Sequence, residues 1–157
     1  MVPFNNNSYF WVVSDSINCF LWERGIVNQI AYTKDLFDFW KFFEEVIVPS
    51  ISECNDIAKD HGLKLCIEPR TWENISNAWA LELLLREIKS ENLGAVLDVA
   101  HLAAQKMHPV QCVEMLGKRI FYVHASDSDF MIEDHLEIGT GIVDWKNLLK
   151  ALKKHDF

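Results

Sequence analysis

Three short apolar segments of this chain each end in side chains that can bind a metal ion. The segments are KLCIEP (64–69), GAVLDVAH (94–101) and RIFYVHAS (119–126). Helix-like segments separate them, which is the order expected of parallel strands joined by crossover helices. In such folds the carboxyl ends of neighbouring strands meet on one face, where functional sites are built. We therefore expect the polar side chains that close the three segments to lie together.

The side chains at the three strand ends are Glu68, Asp98 and His124, and His101 follows Asp98 by one helical turn. Carboxylate oxygens and imidazole nitrogens suit Mn²⁺, Mg²⁺, Co²⁺ or Zn²⁺ better than metals that prefer thiolates. A structural alternative stays open, because a strand-end Asp or His often caps a helix or binds a loop amide. Buried carboxylates without partners are unfavourable, however, and a cation would compensate them.

The composition argues against a nucleic-acid-binding protein, a membrane protein and a secreted disulfide-rich protein. Fifteen basic and 23 acidic residues give a net charge of −8, whereas nucleic-acid-binding proteins usually carry a basic surface. No segment approaches the roughly 18 apolar residues of a membrane span, and the four cysteines are widely spaced without a secretory leader. We therefore predict a single cytoplasmic domain that binds neither nucleic acid nor a membrane.

Hydrophobic periodicity divides the chain into an aromatic, loop-rich segment at 1–34 and βα units at 35–157. Within the first segment, Tyr9 to Val13 could form a strand or a buried loop. Apolar residues recur at helical spacing from about 35 to 61, where Pro49 should kink or divide the helix. Further helices are predicted to end near Ser90, to run from Pro109 to Gly117, and to begin after Asp144. A polar loop, 126–141, follows the third predicted strand.

Three stretches carry a resemblance to a known superfamily: CIEPRTWENISN, NLGAVLDVAHL and IFYVHASDSD…EDHLEIGTGIVDW. They resemble the second half of the sugar phosphate isomerase/epimerase superfamily, the xylose isomerase-like TIM barrels. The resemblance covers about 35–157 and implies an α/β fold, a partial (β/α)8 barrel with about three to four parallel strands. It also implies that the first four strands and the strand of a fourth metal ligand, usually a glutamate, lie outside this chain.

The resemblance implies a role for each candidate residue. Glu68, Asp98 and His124 would bind the metal ion, and Glu68 and His101 would be catalytic. His101, Arg70 and His135 would contact the substrate, although a surface ion pair is an equal alternative for Arg70. In the nuclease branch of the superfamily the position of His135 is a metal ligand.

The implied function is a divalent-metal-dependent isomerase or epimerase that acts on a sugar or sugar phosphate through an enediolate. Whether the chain is itself an active enzyme stays open. One alternative is a truncated, non-catalytic or partner-dependent half barrel, and another is an endonuclease IV-like repair nuclease, which the acidic balance disfavours. A sheet with unpaired edges is expected to self-associate or to bind a complementary half-barrel chain.

Overall fold

The computed structural model describes residues 9–13, 38–71 and 73–157, with side chains from residue 38 onward. Four strands form one sheet: β1 (Tyr9–Val13), β2 (Lys64–Glu68), β3 (Leu93–Asp98) and β4 (Ile120–His124). They follow one another in chain order across the sheet, and all three pairings are parallel. This confirms the expected α/β fold with the strands of a partial TIM barrel. Tyr9–Val13 is thus a strand, and the rest of 1–34 lies outside the described residues.

Helices connect the strands and cover the sheet. Their bounds are α1 (Phe39–Phe42), α2 (Val48–Asp60), α3 (Ala78–Ile88), α4 (Val99–Ala104), α5 (Pro109–Leu116) and α6 (Trp145–Lys154). A π-helical turn, Phe43–Ile47, joins α1 to α2, and Pro49 lies in the first turn of α2. Proline cannot donate an intrahelical hydrogen bond, and the backbone changes from the π-helical turn to α2 just before Pro49. Residues 39–60 nevertheless stay helical throughout, so the chain is not broken at Pro49, and the predicted kink stays a prediction. None of the helices in the described part combines the length and apolar character that a membrane crossing requires.

The central strands are buried on both faces. Every residue of β3 is buried, as are the last four of β2, which explains why these strands read as continuous apolar runs rather than as alternating patterns. The core between sheet and helices includes Leu65, Leu97 and Leu148, all nearly inaccessible to solvent. This packing holds the carboxyl ends of the strands in fixed relative positions.

A β-bulge sets the register between β3 and β4. Ala95 pairs with Ile120 but Val96 pairs with Tyr122, so Phe121 is the extra residue. Its ring lies over Gly94, where any Cβ would overlap it. Beyond the bulge the register brings Asp98 directly opposite His124. The irregularity in β4 therefore determines which side chains meet at the strand ends.

Helix α4 corrects the sequence-based boundaries at this point. The apolar run in the sequence predicts a second strand from Gly94 to Val99, whereas β3 ends at Asp98 and α4 begins at Val99. Six residues are too few for helical periodicity to be visible in sequence. The short helix matters because Asp98 is its N-cap and His101 lies in its first turn.

Candidate metal and substrate site

Glu68, Asp98 and His124 converge at the carboxyl ends of three adjacent strands. His124 Nδ1 lies 2.8 Å from Glu68 Oε1 and 3.1 Å from Asp98 Oδ2. One potential ligand atom from each of the three side chains lies within 4.8 Å of the other two. The structure therefore brings the three predicted ligands into one cluster, which we call the strand-end cluster.

The chemistry of the strand-end cluster fits a divalent cation. Both carboxylates are buried, with Glu68 7% and Asp98 3% exposed, and like charges held this close repel each other. Both approach the same His124 nitrogen, which can donate at most one proton. A cation in contact with both carboxylates and the imidazole would neutralise the repulsion and satisfy the remaining lone pairs.

Asp98 uses its two carboxylate oxygens differently. Its Oδ1 accepts hydrogen bonds from the backbone N–H groups of Ala100 (2.9 Å) and His101 (3.1 Å), which caps α4. Its Oδ2 faces His124. The helix-capping role and the potential ligand role are therefore compatible, because each belongs to a separate oxygen.

His101 lies next to the strand-end cluster, buried on α4. Its Nε2 is 4.0 Å from Asp98 Oδ2. Its Nδ1 is 3.0 Å from Glu133 Oε2, but the two atoms do not form a hydrogen bond. The ring packs edge to face against His135, with the ring centroids 5.5 Å apart. His101 thus connects the cluster to the loop that follows β4.

The other two predicted substrate contacts lie in loops at this end of the sheet. The Nδ1 atom of exposed His135 is 3.0 Å from Ser126 Oγ, and His135 also forms a potential ligand group with Asp98 and His101. Arg70 is half-buried and lies two residues beyond Glu68. Its contact with a substrate stays a prediction.

The sequence patterns did not identify two acidic residues that shape this region. Glu133 reaches His101, and Asp127 is buried at the start of the loop that carries both Glu133 and His135. Glu133 precedes His135 by two residues, a spacing that could have drawn attention to it. Asp127 gives no comparable signal, because its importance depends on how the loop folds.

A cavity of about 740 Å³ lies at the opposite end of the sheet. Among its lining residues are Lys64, the first residue of β2, and Asn92, which immediately precedes β3. Parallel α/β folds build their active sites at the carboxyl ends of strands. This cavity is therefore separate from the strand-end cluster and a poor candidate for the reaction site.

Two cysteine thiols are poor metal ligands in this structure. Burial raises the pKa of Cys66 and that of Cys112 to about 12. The thiolate, which is the form that binds metal, is therefore scarce at neutral pH. The potential ligands near the strand ends are oxygen and nitrogen atoms, as the sequence predicts.

A family model described as the xylose isomerase-like TIM barrel matches residues 41–157. The chain belongs to this family. Its relatives include inosose isomerase of Bacillus subtilis (strain 168), 32% identical over 120 residues, which cover 70% of this chain and 42% of that protein. An uncharacterized protein of Methanocaldococcus jannaschii is 34% identical over 112 residues, covering 67% of this chain and 38% of the relative. The chain thus spans less than half the length of these two relatives.

Solved structures show the same fold. A D-tagatose 3-epimerase-like protein superimposes with a TM-score of 0.62 at 30% identity, covering 70% of this chain and 43% of that one. The IolI protein, solved with a bound zinc atom, superimposes with a TM-score of 0.66 at 24% identity, covering 80% and 48% of the two chains. The proteins similar to this chain thus include an inosose isomerase and a D-tagatose 3-epimerase-like protein.

Proposed function

We propose that this chain carries the metal ligands and part of the substrate site of a divalent-metal-dependent isomerase or epimerase for a sugar or sugar phosphate. The observation that carries the proposal is the convergence of Glu68, Asp98 and His124, with two buried carboxylates on one imidazole nitrogen. The names of the inosose isomerase and epimerase-like relatives support the substrate class. The zinc atom in IolI supports the class of cation.

Glu68, Asp98 and His124 would hold Mn²⁺, Mg²⁺, Co²⁺ or Zn²⁺, a Lewis acid that polarises the substrate carbonyl and the adjacent hydroxyl. Glu68, or a glutamate outside this chain, accepts the proton of the carbon next to the carbonyl. The electron pair of that C–H bond moves into the enediolate. Return of a proton to the former carbonyl carbon, with transfer of the adjacent hydroxyl proton to the former carbonyl oxygen, gives the isomer. Return of a proton to the opposite face of the original carbon gives the epimer.

His101 and the loop residues orient the substrate in this proposal. His101 donates a hydrogen bond to a substrate oxygen, which stabilises the negative charge that develops there. Its side chain is buried beside Asp98, so the donor is held in place before substrate arrives. His135 and Arg70 contact the outer hydroxyls or a phosphate.

Metal titration tests whether the chain binds a divalent metal ion, as the proposal requires. We expect about one divalent ion per chain and a metal-dependent rise in Tm, since a ligand at about 100 times its Kd stabilises the folded state by about 2.7 kcal/mol. Glu68→Ala should abolish both effects. Glu87→Ala, an exposed site on α3, is the matched control and should behave as wild type. A wild-type chain that binds no metal would overturn the proposal.

Solvent-exchange measurements test whether the reaction proceeds through an enediolate. Incubation with ketoses, inososes and their phosphates in D₂O should incorporate deuterium at the carbon next to the carbonyl, because an enediolate exchanges its proton with solvent. Glu68→Ala should abolish the incorporation. Isomerisation without any deuterium uptake would argue for direct hydride transfer instead.

A second candidate, a partner-dependent half barrel, is favoured by the exposed apolar surface beside β4. Leu149 is 59% exposed and Phe157 56% exposed, and with Tyr122 they line a cavity of about 350 Å³. A second copy or a complementary half-barrel chain would bury this surface. Size-exclusion chromatography with light scattering distinguishes the candidates, because a stable monomer with isomerase activity would eliminate this one.

A further inference from the structure

One buried carboxylate joins several parts of the β4–α6 loop, which we define as residues 126–143. Asp127, 1% exposed, lies near the start of this loop. Four N–H groups donate hydrogen bonds to its two oxygens: Ser128 N (2.9 Å) and Val143 N (3.1 Å) to Oδ1, and Gly139 N (2.7 Å) and Trp145 Nε1 (2.9 Å) to Oδ2. The carboxylate thus joins the beginning of the loop, its later half and the first residue of α6.

The backbone of Asp127 adds a second constraint. Its N–H donates to the Leu136 carbonyl (2.8 Å) and its carbonyl accepts from the Leu136 N–H (3.0 Å), which forms an isolated antiparallel bridge. Leu136 directly follows His135, whose ring is within hydrogen-bond distance of Ser126. Side chain and backbone of Asp127 therefore together fix the position of His135.

The β4–α6 loop meets α4 at His101. Glu133 and His135 both come from the loop, and they contact His101 at 3.0 Å and through ring packing, respectively. Lys106, which follows α4 in the chain, donates a hydrogen bond to the Phe130 carbonyl in the same loop. The conformation of the loop therefore decides which groups surround His101.

The Asp127 carboxylate remains charged within the loop. Burial alone would raise its pKa, but hydrogen bonds from Trp145, Gly139, Val143 and Ser128 outweigh this effect and lower the pKa from 3.8 to about 2. Close packing makes these bonds possible, because a Cβ on Gly141 would come within 2.5 Å of the Ser128 carbonyl oxygen and would overlap Asp127 Oδ1. A neutral amide at position 127 would turn a donor toward these N–H groups.

We propose that Asp127 is a positioning residue, whose carboxylate fixes the β4–α6 loop so that Glu133 and His135 stand against His101. Through this contact it orients the substrate without binding the metal ion. The substrate part of the inference rests on the proposed function, whereas the loop arrangement does not. The competing explanation is that Asp127 only contributes to the stability of the fold.

Asp127→Asn in the full chain tests the inference. In metal-free protein with labelled histidines, we expect the nuclear Overhauser effect between the His101 and His135 rings to be lost. The affinity for Mn²⁺ should stay within about 2-fold of wild type, whereas kcat should fall by about 10- to 100-fold, as expected for misplaced orienting groups. Trp145→Phe removes one of the four donors and should weaken the same contact to a smaller degree.

Asp144→Ala is the matched control for stability. Asp144 caps α6 by accepting a hydrogen bond from Asn147 N (3.1 Å), and it lies between two residues whose N–H groups bind Asp127. Its removal should lower Tm while the contact between the His101 and His135 rings and the value of kcat are retained. The comparison therefore separates a loss of stability from a loss of positioning.

The inference is overturned if Asp127→Asn lowers Tm but keeps both the ring contact and kcat, as expected for the control. Failure of the proposed function is distinguishable from this result. A wild-type chain without metal binding or turnover would contradict that function, while the ring contact in Asp127→Asn would still decide the role of Asp127 in the loop.

Discussion

The strand-end cluster and the β4–α6 loop present polar side chains to the same part of the molecule by different means. Glu68, Asp98 and His124 are attached to paired backbone, and the register places Asp98 opposite His124. His135 is attached to a loop that is held by one isolated bridge, by the Asp127 carboxylate and by a few further hydrogen bonds, such as that from Ser128 Oγ to Asp134 (2.9 Å). Metal binding should therefore depend on the integrity of the sheet, whereas substrate orientation should depend on a few hydrogen bonds in the loop.

The two regions also differ in burial, which affects local stability. The carboxylates of the strand-end cluster are buried. The loop contains exposed apolar side chains, with Met131 71% and Ile132 67% exposed. Segments with few buried apolar contacts open at lower free energy than core strands. We therefore expect the loop to open at lower free energy than the sheet, so that substitutions can alter the two parts of the proposed site independently.

The largest expected effect comes from removing the charge of Asp98 while keeping its shape. In Asp98→Asn we expect metal affinity to fall by at least about 100-fold, since loss of an outer partner of a ligand alone costs about 10- to 100-fold. The free energy of unfolding without metal should change by less than about 1 kcal/mol, because asparagine is an equally good N-cap for α4. Calorimetric titration and urea denaturation measure the two quantities.

Asp98→Ala is the control for the capping role of this residue. It should lose metal affinity to the same degree and also lose about 1 kcal/mol of stability, because Ala100 N and His101 N no longer have a side-chain acceptor. Unchanged metal affinity in Asp98→Asn would show that Asp98 is only a helix cap. The strand-end cluster would then not be a metal site of the proposed kind.

Two glycine substitutions compare the regions directly. In Gly94→Ala the new methyl group overlaps the Phe121 ring, and we expect a loss of about 1–3 kcal/mol in the free energy of unfolding. Because the β3–β4 register is disturbed, metal affinity should also fall.

In Gly141→Ala the methyl group overlaps Asp127, so the contact between His101 and His135 should weaken while metal affinity is retained. Equal effects of the two variants on metal affinity would contradict the separation of the regions.

The same difference explains how much the sequence could predict. Continuous apolar segments that end in polar residues predicted β2, β3 and β4 and the three strand-end residues. This was possible because parallel strands that are buried on both faces appear in the sequence as continuous apolar runs. The bulge at Phe121 could not be inferred, since one extra residue in β4 leaves no compositional trace. The four hydrogen bonds to the Asp127 carboxylate could not be predicted from the sequence, because the donors come together only after the loop has folded. A cap such as Asp144, in contrast, acts on adjacent residues and was predicted correctly.

The smallest expected effect is a pH dependence that is specific to the loop. The pKa of Asp127 is lowered to about 2 in the folded chain, so the unfolded state takes up a proton at this residue more readily. The stabilisation by the carboxylate is therefore complete above the ordinary pKa of 3.8 and is lost as the pH falls from there toward about 2. The difference in unfolding free energy between wild type and Asp127→Asn should narrow over this window, because a protonated Asp127 and an asparagine offer similar hydrogen bonds. Urea denaturation at several pH values measures this difference. If the difference in unfolding free energy between wild type and Asp127→Asn stayed constant down to about pH 2, the loop would not depend on the charge of Asp127.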